Sequence, residues 1–203
     1  MFEEAFQGSL SLFIDDEQER HRLLANMKLA YSAKNRQYHN LLHLENLLKE
    51  LEQVGQRINN WNLTILCIAY HDLVYNSKRS DNEERSAAKF ETDLHQHLEP
   101  ALIRQGVEMI LATKGHIETL DNDTDYFTDA DLSILGASAE RYKEYSKQIR
   151  EEYSIYPDFL YKNGRRQVLK HFLDMNSIYK TEHFKEKYES SARRNMQNEL
   201  EQL

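Results

Sequence analysis

Residues 65–76 read ILCIAYHDLVYN, and this stretch decides how the rest of the chain is understood. Its first half, with the preceding Trp61-Asn62-Leu63-Thr64, is the most apolar run in the protein and predicts a buried helix over 61–74. Its second half places His71 and Asp72 side by side at the end of that helix. A histidine and an aspartate do not suit the interior of a water-soluble helix unless something compensates their burial. A divalent cation is the simplest such compensation.

Working outward, the flanking sequence is a series of amphipathic segments with short polar breaks. Leu23, Leu24, Met27 and Tyr31 recur at helical spacing within 17–33, and Leu41, Leu44, Leu47, Leu48 and Leu51 form one stripe within 40–55. Ser80 followed by Glu83 has the capping-box pattern of a helix start, and Glu99-Pro100 opens a helix that runs to about Thr113, with Gly115 ending it. Residues 118–128 are acidic and turn-rich and read as a loop. Further helices are expected over 129–136, 138–152, 164–175 and 183–202. With 2 prolines and 6 glycines in 203 residues there is little to punctuate strands or hairpins, so the expectation is all-α. No repeat or linker interrupts the pattern. One compact helical domain over 1–203 is predicted, with a core about 36–136 and C-terminal helices about 138–203.

Composition narrows the function classes. Charged residues make up 30% and hydrophobic residues 40%, which is the balance of a globular protein. A net charge of -8 argues against a nucleic-acid partner, though a local group of cations can still hold a small anion. The single cysteine, Cys67, lies within the apolar run and is expected to be buried and reduced, which removes disulfides and a thiolate metal site. No basic-then-apolar leader opens the chain and no apolar run approaches a membrane span, so a cytoplasmic protein without membrane contact is expected. The charged C-terminal stretch with Arg193, Arg194, Glu199 and Glu201 reads as a solvated helix face, with a homodimer contact as the alternative.

The chemistry-bearing residues cluster at helix ends. His39 and His43 are four apart and share a helix face; Asp129 and Asp131 stand at the start of a later predicted helix. Together with His71 and Asp72 they offer imidazole and carboxylate donors, a set suited to Mn, Fe, Mg, Zn, Ni or Co.

In order along the chain, YHNLLHL (38–44), AYHDLVYN (69–76), DNEERSA (81–87), ATKGH (112–116) and DADLSILG (129–136) resemble the H…HD…D signature of the HD-domain metal-dependent phosphohydrolases, in particular a branch of small predicted members. The resemblance implies an HD-type helical bundle holding one divalent metal ion through His43, His71, Asp72 and Asp131, with Asp129 as the fallback for the last position. It places His39 one turn from His43 as a substrate contact. Where two-metal relatives carry a histidine before the glutamate of the third segment, this chain has Asn82 before Glu83, which points to a mononuclear site. The glycine-tyrosine-proline motif of cyclic-dinucleotide phosphodiesterases is absent. The activity implied is hydrolysis of a small phosphorylated substrate, a nucleotide among the candidates, by water activated at the cation. Asp72 then both ligates and orients that water, Glu83 is a general base, a hydrogen-bond partner of a ligand histidine or the glutamate of the capping box, and His116 is a substrate contact or the acid for the leaving group. Arg36, Lys114 and Tyr75 are candidate substrate contacts, as is Tyr38. The alternative is a helical metal- or ligand-binding module without turnover.

Overall fold

The computed structural model describes every residue except Ile117. Among the described residues it is all-α: ten α-helices and two short 3-10 turns, with no strand. In chain order the helices are α1 (Phe2–Ser11), α2 (Glu17–Tyr31), α3 (Leu41–Glu52), α4 (Trp61–Tyr70), α5 (Asn82–Leu94), α6 (Pro100–Ala112), α7 (Asn122–Asp131), α8 (Ala139–Glu152), α9 (Asp158–Asp174) and α10 (Glu182–Gln202). The 3-10 turns are Gly55–Arg57 and Leu132–Gly136. No helix among the described residues is long and apolar enough to cross a membrane. The chain sorts into two compact units, Met1–Thr128 and Asp129–Leu203, and the division falls inside α7.

In the first unit α4 is the hub, with α1, α3, α5 and α6 packed around it. Every residue of α4 from Leu63 to Tyr70 is buried, which is why its sequence is apolar all round rather than striped. Each large apolar side chain so buried is worth roughly 1.5–3 kcal/mol, far more than the helix-propensity deficit of Ile65, Ile68 and Thr64. Cys67 is fully buried, and desolvation pushes its thiol well above the ordinary range, so it is an inert core residue as expected.

The helix ends earlier than its apolar run suggests. It stops at Tyr70, His71 is the capping residue, and residues 72–76 are turn and coil instead of helix to 74. Tertiary bonds override local propensity here. Arg36 takes the carbonyls of Asp72 and Leu73, Ser86 bonds the N–H and carbonyl of Val74, and the Asn82 side chain bonds both backbone groups of Asn76.

Two other local readings are corrected. Residues 122–131, expected as loop up to 128, are helix α7. Asp121 caps it by accepting the Thr124 N–H, and Asp123 and Asp125 favour its positive end. Asp123 is fully buried because it accepts the N–H groups of Asn59 and Asn60, pinning α7 to the entrance of α4. The Ser80–Glu83 capping box does not form. The helix starts at Asn82, and Asp81 at its N-cap is held by Arg79 and Arg85 instead of capping.

In the second unit the Leu132–Gly136 turn packs on α8 and α10, and α9 packs on α10. Asn195 donates to the carbonyls of Leu135 and Ala137, Ser191 to that of Gly136, and Tyr179 to that of Leu132, so the turn's backbone is satisfied by side chains. The C-terminal helix is not the solvated face the sequence suggested at two of its four charges. Glu199 is nearly buried and forms a two-pronged pair with Arg165 at 2.8 and 2.9 Å. Arg193 caps the end of α9 through the carbonyls of Leu173 and Met175.

Gly106 on α6 faces the fully buried ring of Phe90 on α5, and an added Cβ would overlap that ring. Gly106→Ala is expected to destabilise the protein by about 1–3 kcal/mol, the cost of overpacking a tight core, read as a lowered midpoint in chemical or thermal unfolding.

Candidate metal centre

The site is built on three helix ends. His43 stands in the first turn and a half of α3, whose start is capped by Asn40 accepting the Leu42 N–H. His71 follows the last residue of α4, and Asp131 is the last residue of α7. One donor atom from each of His43, His71 and Asp131 lies within 4.8 Å of the other two. The Nε2 atoms of the two buried imidazoles are 3.1 Å apart. Two nitrogens at ~2.0–2.1 Å from one ion stand about 2.9–3.4 Å apart at octahedral or tetrahedral angles, so the spacing fits a shared cation.

Asp72, expected as the fourth ligand, is not one of the three converging donors, although its carboxylate lies next to them. Its Oδ2 is 3.2 Å from His71 Nε2 and 3.8 Å from His39 Nε2. Burial would raise its carboxyl, but His71, His39 and His43 outweigh that and hold it well below the usual carboxylate range. Asp72 is thus a fixed negative charge aimed at the imidazole cluster.

The tautomer of His71 follows from its other nitrogen. Nδ1 is 2.9 Å from the Ile68 carbonyl, and a carbonyl only accepts, so Nδ1 carries a proton. In the neutral ring, the form a cation requires, Nε2 then has its lone pair toward the cluster, and in the protonated ring it donates to Asp72. The fully buried Phe127 ring meets His71 edge-on, with centroids 5.8 Å apart, and excludes water from that side. Sequence spacing gave no hint of Phe127, because it lies in the stretch read as loop. Tyr38 is buried against His43, with ring centroids 4.9 Å apart.

The structure separates Asp131 from Asp129. The Asp129 carboxylate is fully buried and accepts the N–H groups of Lys180 and Thr181 and the Thr181 hydroxyl, with the Lys180 ammonium 3.1 Å away. It fastens the start of α10 and is not in the donor cluster. Nor does it cap a helix of its own, since it lies in the last turn of α7.

The remaining candidates fall into two groups. His39 and Tyr75 meet in a tilted ring contact at the edge of the cluster, with centroids 4.5 Å apart and planes 31° from parallel. Glu83, in the first turn of α5, is half-buried; desolvation raises its carboxyl, and the Asp72 charge adds to the effect. His116 is buried and adopts a left-handed backbone at φ 50°, a conformation histidine tolerates better than most residues.

Arg36 and Lys114, by contrast, are engaged within the protein. Arg36 is buried, its guanidinium on the carbonyls of His39, Asp72 and Leu73. Lys114 is exposed and bonded to Glu84 and the Ser80 carbonyl. Asn82 spends its amide on Asn76.

No protein-family model, curated protein or solved structure matches this chain.

The two aspartates of α7 should separate cleanly by substitution. Asp129→Ala is expected to cost about 3–5 kcal/mol, because it leaves the buried Lys180 charge and two N–H groups without their acceptor. Asp131→Asn is expected to weaken divalent-metal binding and to lower the unfolding midpoint less than Asp129→Ala does. Thermal unfolding together with metal titration of both variants checks the pair of outcomes.

Proposed function

We propose that this chain is a metal-dependent phosphohydrolase of the HD superfamily, acting on a small phosphorylated metabolite, with nucleotides the first class to test. The observation that carries the reading is the convergence of His43 and His71 at 3.1 Å with Asp131 and Asp72 beside them. Buried imidazole and carboxylate donors without thiolate suit a single Mn, Fe, Mg, Zn, Ni or Co ion held by His43, His71, Asp72 and Asp131. When bound, such a cation supplies Lewis-acid polarisation of a phosphoryl group and a lowered pKa for a coordinated water.

The protein's own groups then have distinct tasks. Asp72 places its carboxylate 3.2 Å from His71 Nε2 and orients water by accepting its proton in a hydrogen bond. Glu83 carries a carboxyl raised by burial and by Asp72, which makes it a stronger base than an exposed glutamate and suits it to take the water's proton. His116, positioned by its left-handed backbone, is the candidate proton donor to the leaving oxygen. His39 and Tyr75, in tilted ring contact, form the rim past which a substrate would enter.

A second reading, a metal-binding module without turnover, is favoured by one observation. Both cations expected to greet a phosphate, Arg36 and Lys114, are already bonded within the protein. Lys114 is the easier to release, because its partner Glu84 is an exposed surface pair that contributes little.

The two readings part in a phosphatase screen of the purified protein across divalent metals and nucleotides, run beside metal analysis. The hydrolase reading expects metal-dependent phosphate release and at least about a hundredfold loss in Asp72→Asn, a typical cost of removing a group that acts on the reacting water. Undiminished turnover in that variant contradicts the mechanism, and bound metal with no turnover on any phosphoester favours the module.

A further inference from the structure

Arg36 was expected to meet substrate, yet its surroundings assign it a different task. Its side chain is buried, at 7% exposure. One terminal nitrogen donates to the Asp72 carbonyl at 2.7 Å and to the His39 carbonyl at 3.3 Å, and the other donates to the Leu73 carbonyl at 2.9 Å. The guanidinium carbon also lies over two aromatic rings, 4.8 Å from the centre of Tyr31 and 5.3 Å from that of Tyr75. Three carbonyls and two ring faces compensate the buried charge.

The three carbonyls come from two separate segments. His39 belongs to the strap that leads into α3 and His43; Asp72 and Leu73 belong to the turn that follows α4 and His71. One planar group therefore ties together the two arms that carry the imidazole donors. It also stops α4 after Tyr70, by drawing the carbonyls of 72 and 73 out of helical register, and so sets where the Asp72 side chain leaves the backbone.

We propose that Arg36 is a positioning residue for the metal centre: its fork locks the His-Asp turn to the strap before His43, and it does not serve as a phosphate contact. This rests on the reading of His43, His71, Asp72 and Asp131 as metal ligands. The fork geometry matters as much as the charge. A lysine places one ammonium where two nitrogens now span Asp72 and Leu73, so it cannot hold both carbonyls in the same way.

The test uses the full chain stripped of metal. Mn2+ affinity is measured by calorimetry for wild type, Arg36→Lys and Arg36→Met, and the absorption spectrum of the Co2+-loaded forms reports ligand geometry in the folded, metal-bound fraction. Inorganic phosphate binding to the Mn2+-loaded proteins is the third readout. The expected result is Mn2+ binding weaker by about tenfold or more in Arg36→Lys, the usual effect of losing a group that orients a metal ligand, with an altered Co2+ spectrum. Arg36→Met is expected to be weaker still; if it fails to fold, Arg36→Lys carries the test alone. Arg36→Lys that binds Mn2+ as wild type does, with an unchanged Co2+ spectrum, overturns the positioning role and leaves the metal site standing. Loss of phosphate binding with Mn2+ affinity intact makes Arg36 an anion contact and also overturns it. Wild type that takes up neither Mn2+ nor Co2+ overturns the ligand reading and the positioning role together.

Discussion

The hydrogen bond from His71 Nδ1 to the carbonyl of Ile68 is the constraint on which the site depends. It spends one ring nitrogen inside α4 and leaves the other facing His43 at 3.1 Å. Because α4 is buried on every side, that geometry is fixed by the core and does not shift with solvent. The remaining donors are arranged around it. Asp72 follows in the chain with its carboxylate 3.2 Å from His71 Nε2, while Asp131 comes in on the last residue of α7. A buried pair of Nε2 atoms at this separation satisfies itself by one ring donating to the other, and the same spacing fits a shared cation.

Much of this was legible in the residues, for physical reasons that differ from place to place. The all-α fold could be read because the apolar positions recur at helical spacing and strand punctuation is scarce. His71 and Asp72 could be singled out because polar groups at the end of an apolar helix require compensation, whereas the resemblance to HD-domain proteins is what singles out His43 and Asp131. Helix α7 could not be read. Its sequence, NDTDYFTDAD, is dominated by aspartate and threonine, which favour turns locally, and it becomes a helix through bonds to distant partners. Asp123 reaches Asn59 and Asn60, and Asp129 reaches Lys180 and Thr181. Asp129 and Asp131 look alike in sequence and differ only in what lies opposite each of them in space.

The same limit applies to the cations. Arg36 and Lys114 flank the candidate ligands in sequence, which made both look like phosphate contacts, but proximity along the chain carries no direction. Arg36 turns inward to the carbonyls of the His-Asp turn, and Lys114 turns to Glu84 and Ser80. Charges on α10 behave similarly: Glu199 and Arg193 form internal contacts that a charge pattern alone reads as a wet surface. Long, flexible charged side chains are the residues whose roles a sequence specifies least, since their reach exceeds the spacing on which helical patterns are read.

The central claim is that the two imidazoles and the α7 carboxylate share one divalent ion. Diffraction from crystals grown with Mn2+, recorded at a wavelength where manganese scatters anomalously, tests it most directly. The account predicts a single anomalous peak at ~2.0–2.3 Å from Nε2 of both His43 and His71, with oxygens of Asp72 and Asp131 completing the set. A peak elsewhere, or none at these residues under saturating Mn2+, would contradict it.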